Sequence, residues 1–245
     1  MTTAPIFLVE ELPAGERAVL DGPEGRHAAT VRRLRAGEEL VLSDGRGSLA
    51  RCVVESAGRD SLELRLLRRW AEPQPRPRLV VAQALVKGDR GELAVELATE
   101  AGVDAIVPWR AERSVARWED GPRGAKALAR WRLTAREAAK QARRAWVPEV
   151  AEAMDTAGLA GLVRDSDAAL VLDSSAPAPV TEVDLPADGV LVVIVGPEGG
   201  ISATETELFE RAGAQVVRLG PTVLRASTAA AVAVSVLAVL SGRWR

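Results

Sequence analysis

The chain has 245 residues, 47% of them apolar, and its 32 basic and 34 acidic side chains leave a formal charge of −2. That length and composition predict a globular rather than a disordered protein and allow one large domain or two modest ones, each with a buried core. One cysteine, Cys52, excludes an internal disulfide and a cysteine-rich zinc site. The N-terminus MTTAPIFLVE has neither the basic start nor the long apolar core of a secretory signal, so a cytoplasmic location is expected. The longest weakly polar run, Ala226–Leu240, is 15 residues with Ser and Thr inside, shorter than the ~20 apolar residues that span a bilayer. No membrane span is expected.

The first third of the chain reads as β structure. EELVLSDGRGSLARCVVES and DSLELRLLRRW alternate apolar and polar residues with period two, and turn signals at Asp44-Gly45 and Gly58-Arg59-Asp60 separate them. This pattern predicts a small barrel or sandwich. Within it, GRHAATVRRLRAG predicts one short helix carrying Arg26, Arg32, Arg33 and Arg35. The run AEPQPRPR then places three prolines within five residues, which favours an extended connector. A domain boundary is therefore expected there, giving residues 1–74 and 75–245.

Beyond it, strands and helices alternate, which predicts a mostly parallel α/β sheet covered on both faces. Strands are expected at 79–86, 105–107, 169–172, 190–195 and 216–219. Helices are expected after the capping pair Asp89 and Glu92, from about 125 to 145, after Ser202 and Glu205, and from about 228 to 240. No internal repeat is visible. The near-zero total charge hides a stretch of +7 over residues 110–146, against −7 over 147–245. Clustered Lys and Arg of this kind suit a polyanion, although a solvated helix face has the same composition.

Two strand-to-helix turns carry the chemistry: Gly196-Pro197-Glu198-Gly199-Gly200 after one strand, and Gly220-Pro221-Thr222-Val223-Leu224-Arg225 after the next. Ligands of open α/β sheets sit beyond the carboxyl ends of the strands, where such loops meet. Each loop alone reads as an ordinary tight connection, and their pairing is what points to a site. Neither contains GxGxxG nor a Walker lysine pattern. Glu198 and Arg225 are the charged candidates, and an arginine just ahead of a helix opposes the dipole unless it has another task. A single histidine, His27, in the small domain leaves no Ser-His-Asp or Cys-His arrangement, and no cluster has metal-ligand spacing. His27 reads as a surface or capping residue, and no metal is expected.

The run LVVIVGPEGGISATETELFERAGAQVVRLGPTVLRASTAAAVAVSVL resembles the signature of the RsmE family, bacterial methyltransferases that modify N3 of a uridine in 16S ribosomal RNA. LVKGDRGELAVELATEAGVDAIVPW, EAAKQARRAWVPEV and RHAATVRRLRAGEEL resemble upstream parts of the same family, so the likeness covers nearly the whole chain. It implies a PUA-like N-terminal barrel, a SPOUT-type α/β domain with a C-terminal trefoil knot, S-adenosylmethionine as methyl donor and a homodimer acting on the small ribosomal subunit. By resemblance the cofactor lies among Leu172, Gly196, Pro197, Glu198, Gly199, Gly200, Leu219, Gly220, Leu224 and Ala226. Lys87, Glu92, Gln141, Arg144, Glu198 and Arg225 fall on matching positions. Leu97 stands where relatives often have Lys, and Ser227 where their motif often reads Glu.

Uracil N3 is a poor nucleophile until its proton leaves, so the catalytic candidates are Arg225 or Arg144 for the developing oxyanion and Glu198 as base or orienting group. RNA contacts are expected from Arg26, Arg32, Arg33 and Arg35, and from Arg123, Lys126, Arg130, Arg136, Lys140, Arg143 and Arg144. Trp109, Trp118, Trp131 and Trp146 lie in or beside the basic stretch, where core packing is expected for most and base stacking is the alternative. Two other readings compete: a non-catalytic RNA-binding assembly factor of the same fold, and a doubly wound nucleotide-binding oxidoreductase. The absent GxGxxG opposes the second.

Overall fold

The computed structural model describes residues 4–244. The chain divides into two compact units, one of residues up to Gln74 together with Ala139–Val147, the other of Pro75–Ala138 with Pro148 onward.

The first unit is built from β1 (Ile6–Leu8), β2 (Arg17–Leu20), α1 (Gly22–Arg26), β3 (Glu39–Ser43), β4 (Ser48–Ala57) and β5 (Leu62–Ala71). Its five strands form one sheet in the order β1-β3-β4-β5-β2, antiparallel except for the β1–β3 pair. Alternate side chains of β3, β4 and β5 (Leu40, Leu42, Cys52, Val54, Leu62 and Leu64) fill one core with Phe7 and Leu20. The expected helix begins earlier than the sequence suggested, and from His27 to Val31 it continues as a π-helical turn that buries Ala28 in that core. Arg32, Arg33 and Arg35 follow the helix, and Arg33 takes a positive φ of 56°.

Residues 139–147 belong to this unit through main-chain bonds that a linear reading does not reveal. Gly47 N–H donates to Ala145 O at 3.0 Å, Val147 N–H to Gly45 O at 2.9 Å, and the Trp146 indole to Glu72 O at 2.9 Å. Gly47, at φ 96°, passes so close to Trp146 that a Cβ would lie 2.6 Å from its ring.

The second unit contains β6 (Arg78–Ala84), α2 (Arg90–Glu100), β7 (Ala105–Trp109), the body of α3 (Pro122–Gln141), β8 (Glu149–Val150), α4 (Thr156–Arg164), β9 (Ala168–Leu172), β10 (Val190–Val195), α5 (Ala203–Arg211), β11 (Gln215–Val217) and α6 (Ala226–Leu240). The six strands are all parallel, in the order β11-β9-β10-β6-β7-β8. β10 is VLVVIV, β-branched and apolar on both faces, as a central strand under two helix layers requires. Along β6, Leu79 and Val81 face a core shared with α2, α3 and α6, while Val80, Ala82 and Ala84 face one shared with α4 and α5.

The pairing of β9, β10 and β11 brings three strand ends to one edge of this sheet. Two elements escaped the sequence reading: β8 has only two residues, and α4 opens on Asp155, whose Oδ1 accepts the Gly158 N–H at 2.8 Å, without a strong apolar period before it. The expected cap of α2 is not made, since Asp89 forms no side-chain cap bond. The Ser202–Glu205 capping box at α5 is complete.

Candidate active site

A cavity of about 540 Å3 opens at the carboxyl edge of β9, β10 and β11. Leu172, Gly196, Pro197, Glu198, Gly200, Leu219, Gly220, Leu224 and Ala226 all line it, together with Asp173, Val195, Ile201, Arg225 and Ser227. Gly199 does not line it, but its carbonyl accepts a bond from Arg113 Nη1 at 3.2 Å.

Each wall follows from local sequence. β10 ends at Val195 because the chain doubles back at Gly196, where a Cβ would lie 2.7 Å from the Ile201 side chain. Gly200 sits at φ 73°, which glycine tolerates without steric cost. Ser202 and Glu205 then start α5. The third wall is the first turn of α6, which follows Arg225 in extended backbone and has no side-chain cap. The Thr228 N–H already turns back to Arg225 O at 2.9 Å, which leaves the N–H groups of Ala226 and Ser227 without an intrahelical partner.

The charge at the cavity is mixed with a positive excess: Arg90, Arg113 and Arg225 against Asp173 and Glu198. Glu198 is engaged by Arg90, Nη1 to Oε1 3.4 Å. Arg225 is exposed and makes no ion pair among the described residues. Asp173 is turned into its own loop, accepting the Ser175 N–H and hydroxyl at 2.7 Å each. Arg90 and Arg113 were missed by the sequence reading; the only signal for Arg113 was its place in the basic stretch.

The remaining candidates are distributed between the units. Arg144 lies in the Ala139–Val147 segment of the first unit, whereas Glu198 and Arg225 lie in the second. Arg26, Arg32, Arg33, Arg35 and Arg143 are exposed in the first unit; Arg123, Lys126, Arg130 and Arg136 are exposed in the second. Arg130 pairs with Glu92 at 3.2 Å. Lys140 departs from expectation: its side chain is 8% exposed and its Nζ bonds both carboxylate oxygens of Glu24 at 3.0 and 3.2 Å, so it serves packing rather than an exposed RNA face. Trp109 is fully buried, edge-on to Phe209 at 5.4 Å, and Trp131 is buried beside half-buried Trp118. Among the described residues no group of His, Cys, Asp and Glu could hold a metal ion, and no helix is long and apolar enough to cross a membrane.

Residues 72–238 match the family model of an RNA methyltransferase domain, and residues 20–67 that of an RNA methyltransferase PUA domain. The chain is similar to the ribosomal RNA small subunit methyltransferase E of Mycobacterium bovis, 53% identical over 98% of this chain and 94% of the other. The chain belongs to the RsmE family. The Bacillus subtilis enzyme of the same name is 29% identical over 94% of this chain and 91% of its own. Among solved structures, that of a Neisseria gonorrhoeae ribosomal RNA small subunit methyltransferase E bound to S-adenosyl methionine superposes with a TM-score of 0.83 at 26% identity, covering 97% of this chain and 98% of the other. A putative Legionella pneumophila methyltransferase in complex with the same cofactor gives 0.83 at 28% identity, covering 98% of each. The PUA match falls inside the first unit, and the methyltransferase match covers most of the second unit, including both glycine loops, and takes in residues 139–147 of the first.

Proposed function

We propose that the chain methylates N3 of a specific uridine in 16S ribosomal RNA, with S-adenosylmethionine as donor, working as a homodimer. The observation that carries this reading is the cavity at the ends of β9, β10 and β11, which combines apolar walls, the Ala226 and Ser227 N–H groups at the start of α6 and an arginine, Arg225, that makes no ion pair among the described residues.

The residues present fit the cofactor. The cavity is within the ~300–1,000 Å3 range of small-molecule sites. Leu172, Val195, Ile201, Leu219 and Leu224 supply an apolar lining for a flat heterocycle, and the Gly196–Gly200 and Leu219–Leu224 backbones supply polar groups for its edges. Gly200 and Gly220 line the cavity, and a Cβ at either would meet no protein atom within 4 Å, so the space beside them is free for a ligand. When bound, S-adenosylmethionine supplies an electrophilic methyl carbon.

Arg225 performs the central task. Loss of the N3 proton to solvent water spreads negative charge onto the flanking carbonyl oxygens, and a guanidinium without another anionic partner among the described residues stabilises that charge as it develops. Glu198, committed to Arg90, positions that arginine at the cavity rim rather than removing the proton. The homodimer is supported by α6, which leaves Val232, Val239 and Leu240 exposed along one side with half-buried Val236.

Calorimetric titration with S-adenosylmethionine, followed by mass-spectrometric mapping of methylated uridine on small ribosomal subunits, tests the reading. Micromolar binding and one modified uridine are expected. Arg225→Ala should keep cofactor affinity within about twofold while kcat falls ~100-fold or more, the usual scale for a lost oxyanion contact. Near-normal turnover in that variant excludes the assignment. RNA affinity without cofactor affinity in the wild type would favour a non-catalytic assembly factor.

A further inference from the structure

A second cavity, of about 490 Å3, lies in the methyltransferase unit. It shares no lining residue with the cofactor cavity, yet the two adjoin along the same two segments. Arg90 and Arg113 line the first; Asp89 and Glu92 on either side of Arg90, and Ala116 and Arg117 just after Arg113, line the second.

The groups around this second cavity fall into three kinds. Arg117 and Arg123 are exposed and form no ion pair among the described residues, in contrast to Arg130, which is bound to Glu92. Asp89 and Glu119 add carboxylates that likewise make no ion pair among the described residues. Trp118 adds a half-buried indole held edge-on against buried Trp131, centroids 4.9 Å apart at 78°.

No single simple ion suits this set, since cations and carboxylates are balanced. A nucleotide suits all of it: guanidinium groups bind a phosphate, a fixed indole offers apolar surface to a base, and carboxylates accept from its N–H donors. Guanine suits the carboxylates best, because its adjacent N1–H and N2–H groups can serve both oxygens of one carboxylate, whereas uracil offers one N–H.

We propose that this cavity holds a guanosine nucleotide of the RNA substrate close to the methylated uridine, with Arg117 and Arg123 on its phosphate and Asp89 or Glu119 on its base. The proposal rests on the methyltransferase reading above. It separates two functions that lie side by side: one cavity holds the methyl donor, and its neighbour sets the register of the RNA strand.

The test uses the full-length protein with small ribosomal subunits and with a short single-stranded RNA spanning the modified uridine. The Arg117→Ala/Arg123→Ala variant should keep S-adenosylmethionine affinity within about twofold and lose ~10-fold or more in kcat/KM for RNA. The slope of log affinity against log salt should fall by about 0.7, the value for one neutralised phosphate lost on a single strand. With the oligonucleotide, replacing a neighbouring guanosine by inosine, which lacks the N2 amino group, should weaken wild-type binding about tenfold. An Asp89→Asn/Glu119→Gln variant should bind both RNAs alike. An unchanged salt slope in the arginine variant, or equal wild-type affinity for RNAs carrying guanosine and inosine at every neighbouring position, overturns the proposal. A wild-type protein that methylates no ribosomal RNA would instead overturn the functional reading itself.

Discussion

Glu205 Oε1 accepts the backbone N–H of Glu112 at 2.8 Å, a bond between the first turn of α5 and the loop after β7. The carboxylate is 4% exposed and also accepts the Thr156 hydroxyl at 2.9 Å and the Ser202 N–H at 3.1 Å. It therefore ties together three segments, one of which carries Arg113 to the Gly199 carbonyl. Glu205→Ala strands these buried donors and should cost about 3 kcal/mol in chemical denaturation. Because the glycine loop loses its anchor, S-adenosylmethionine affinity should fall about tenfold, measured by titration at a temperature where the variant is folded. Wild-type affinity in a destabilised variant would limit Glu205 to folding.

The end of the chain is fastened by a second buried group. Arg243 Nη1 lies 2.5 Å from Asp104 Oδ2, the two side chains being 7% and 1% exposed, and Arg243 also donates to Pro77 O at 2.9 Å and Gly102 O at 3.1 Å. Asp104 in turn accepts the Leu79 N–H at the start of β6. Removing one partner leaves an uncompensated charge in the interior, so Asp104→Ala or Arg243→Ala should each cost about 3–5 kcal/mol by urea denaturation. The Asp104→Ala/Arg243→Ala double variant should cost less than the sum of the single ones, because neither stranded charge remains.

The methyltransferase sheet and the two glycine loops were legible because their signals are local. β10 is an uninterrupted apolar run, and Gly196-Pro197 and Gly220-Pro221 mark where strands end. What was not legible depends on distant contacts. No pattern within residues 139–147 announces that they pack with the first unit, since their partners are the backbone at Gly45, Gly47 and Glu72. The π-helical turn at His27–Val31 leaves no signature in hydrophobic periodicity. Arg113 and Arg90 gain their place at the cavity only once β7 and α2 are set beside β10 and its loop.

Lys140 shows what a linear charge count misses. It contributes to the +7 stretch, but its ammonium is spent on Glu24, and the two side chains are 8% and 16% exposed. Lys140→Met should lower stability by about 2 kcal/mol through the stranded Glu24 carboxylate. It should leave the salt dependence of RNA binding unchanged. Lys126→Met, at an exposed position with no ion pair among the described residues, should do the reverse, lowering the slope of log affinity against log salt by about 0.7 with no loss of stability.

Cys52 gives the fold a pH dependence whose sign is fixed. Burial pushes the thiol up to about 11 from its ordinary 9.0, against an opposing pull from Arg69. Above pH 9 the unfolded chain releases this proton while the folded chain retains it, so the unfolded state gains stability as pH rises toward 11. The thiol's contribution is fully present below pH 9 and is lost across that interval, on the order of 2 kcal/mol in all. Other groups also titrate there, so the comparison is with Cys52→Ala. Denaturation free energies measured between pH 8 and 10.5 should fall more steeply for the wild type than for the variant, and parallel curves would mean the thiol ionises in the folded protein as it does in the unfolded one. In the same interval the folded protein should resist thiol reagents, because the thiolate, the reactive form, is suppressed in the core of the first unit.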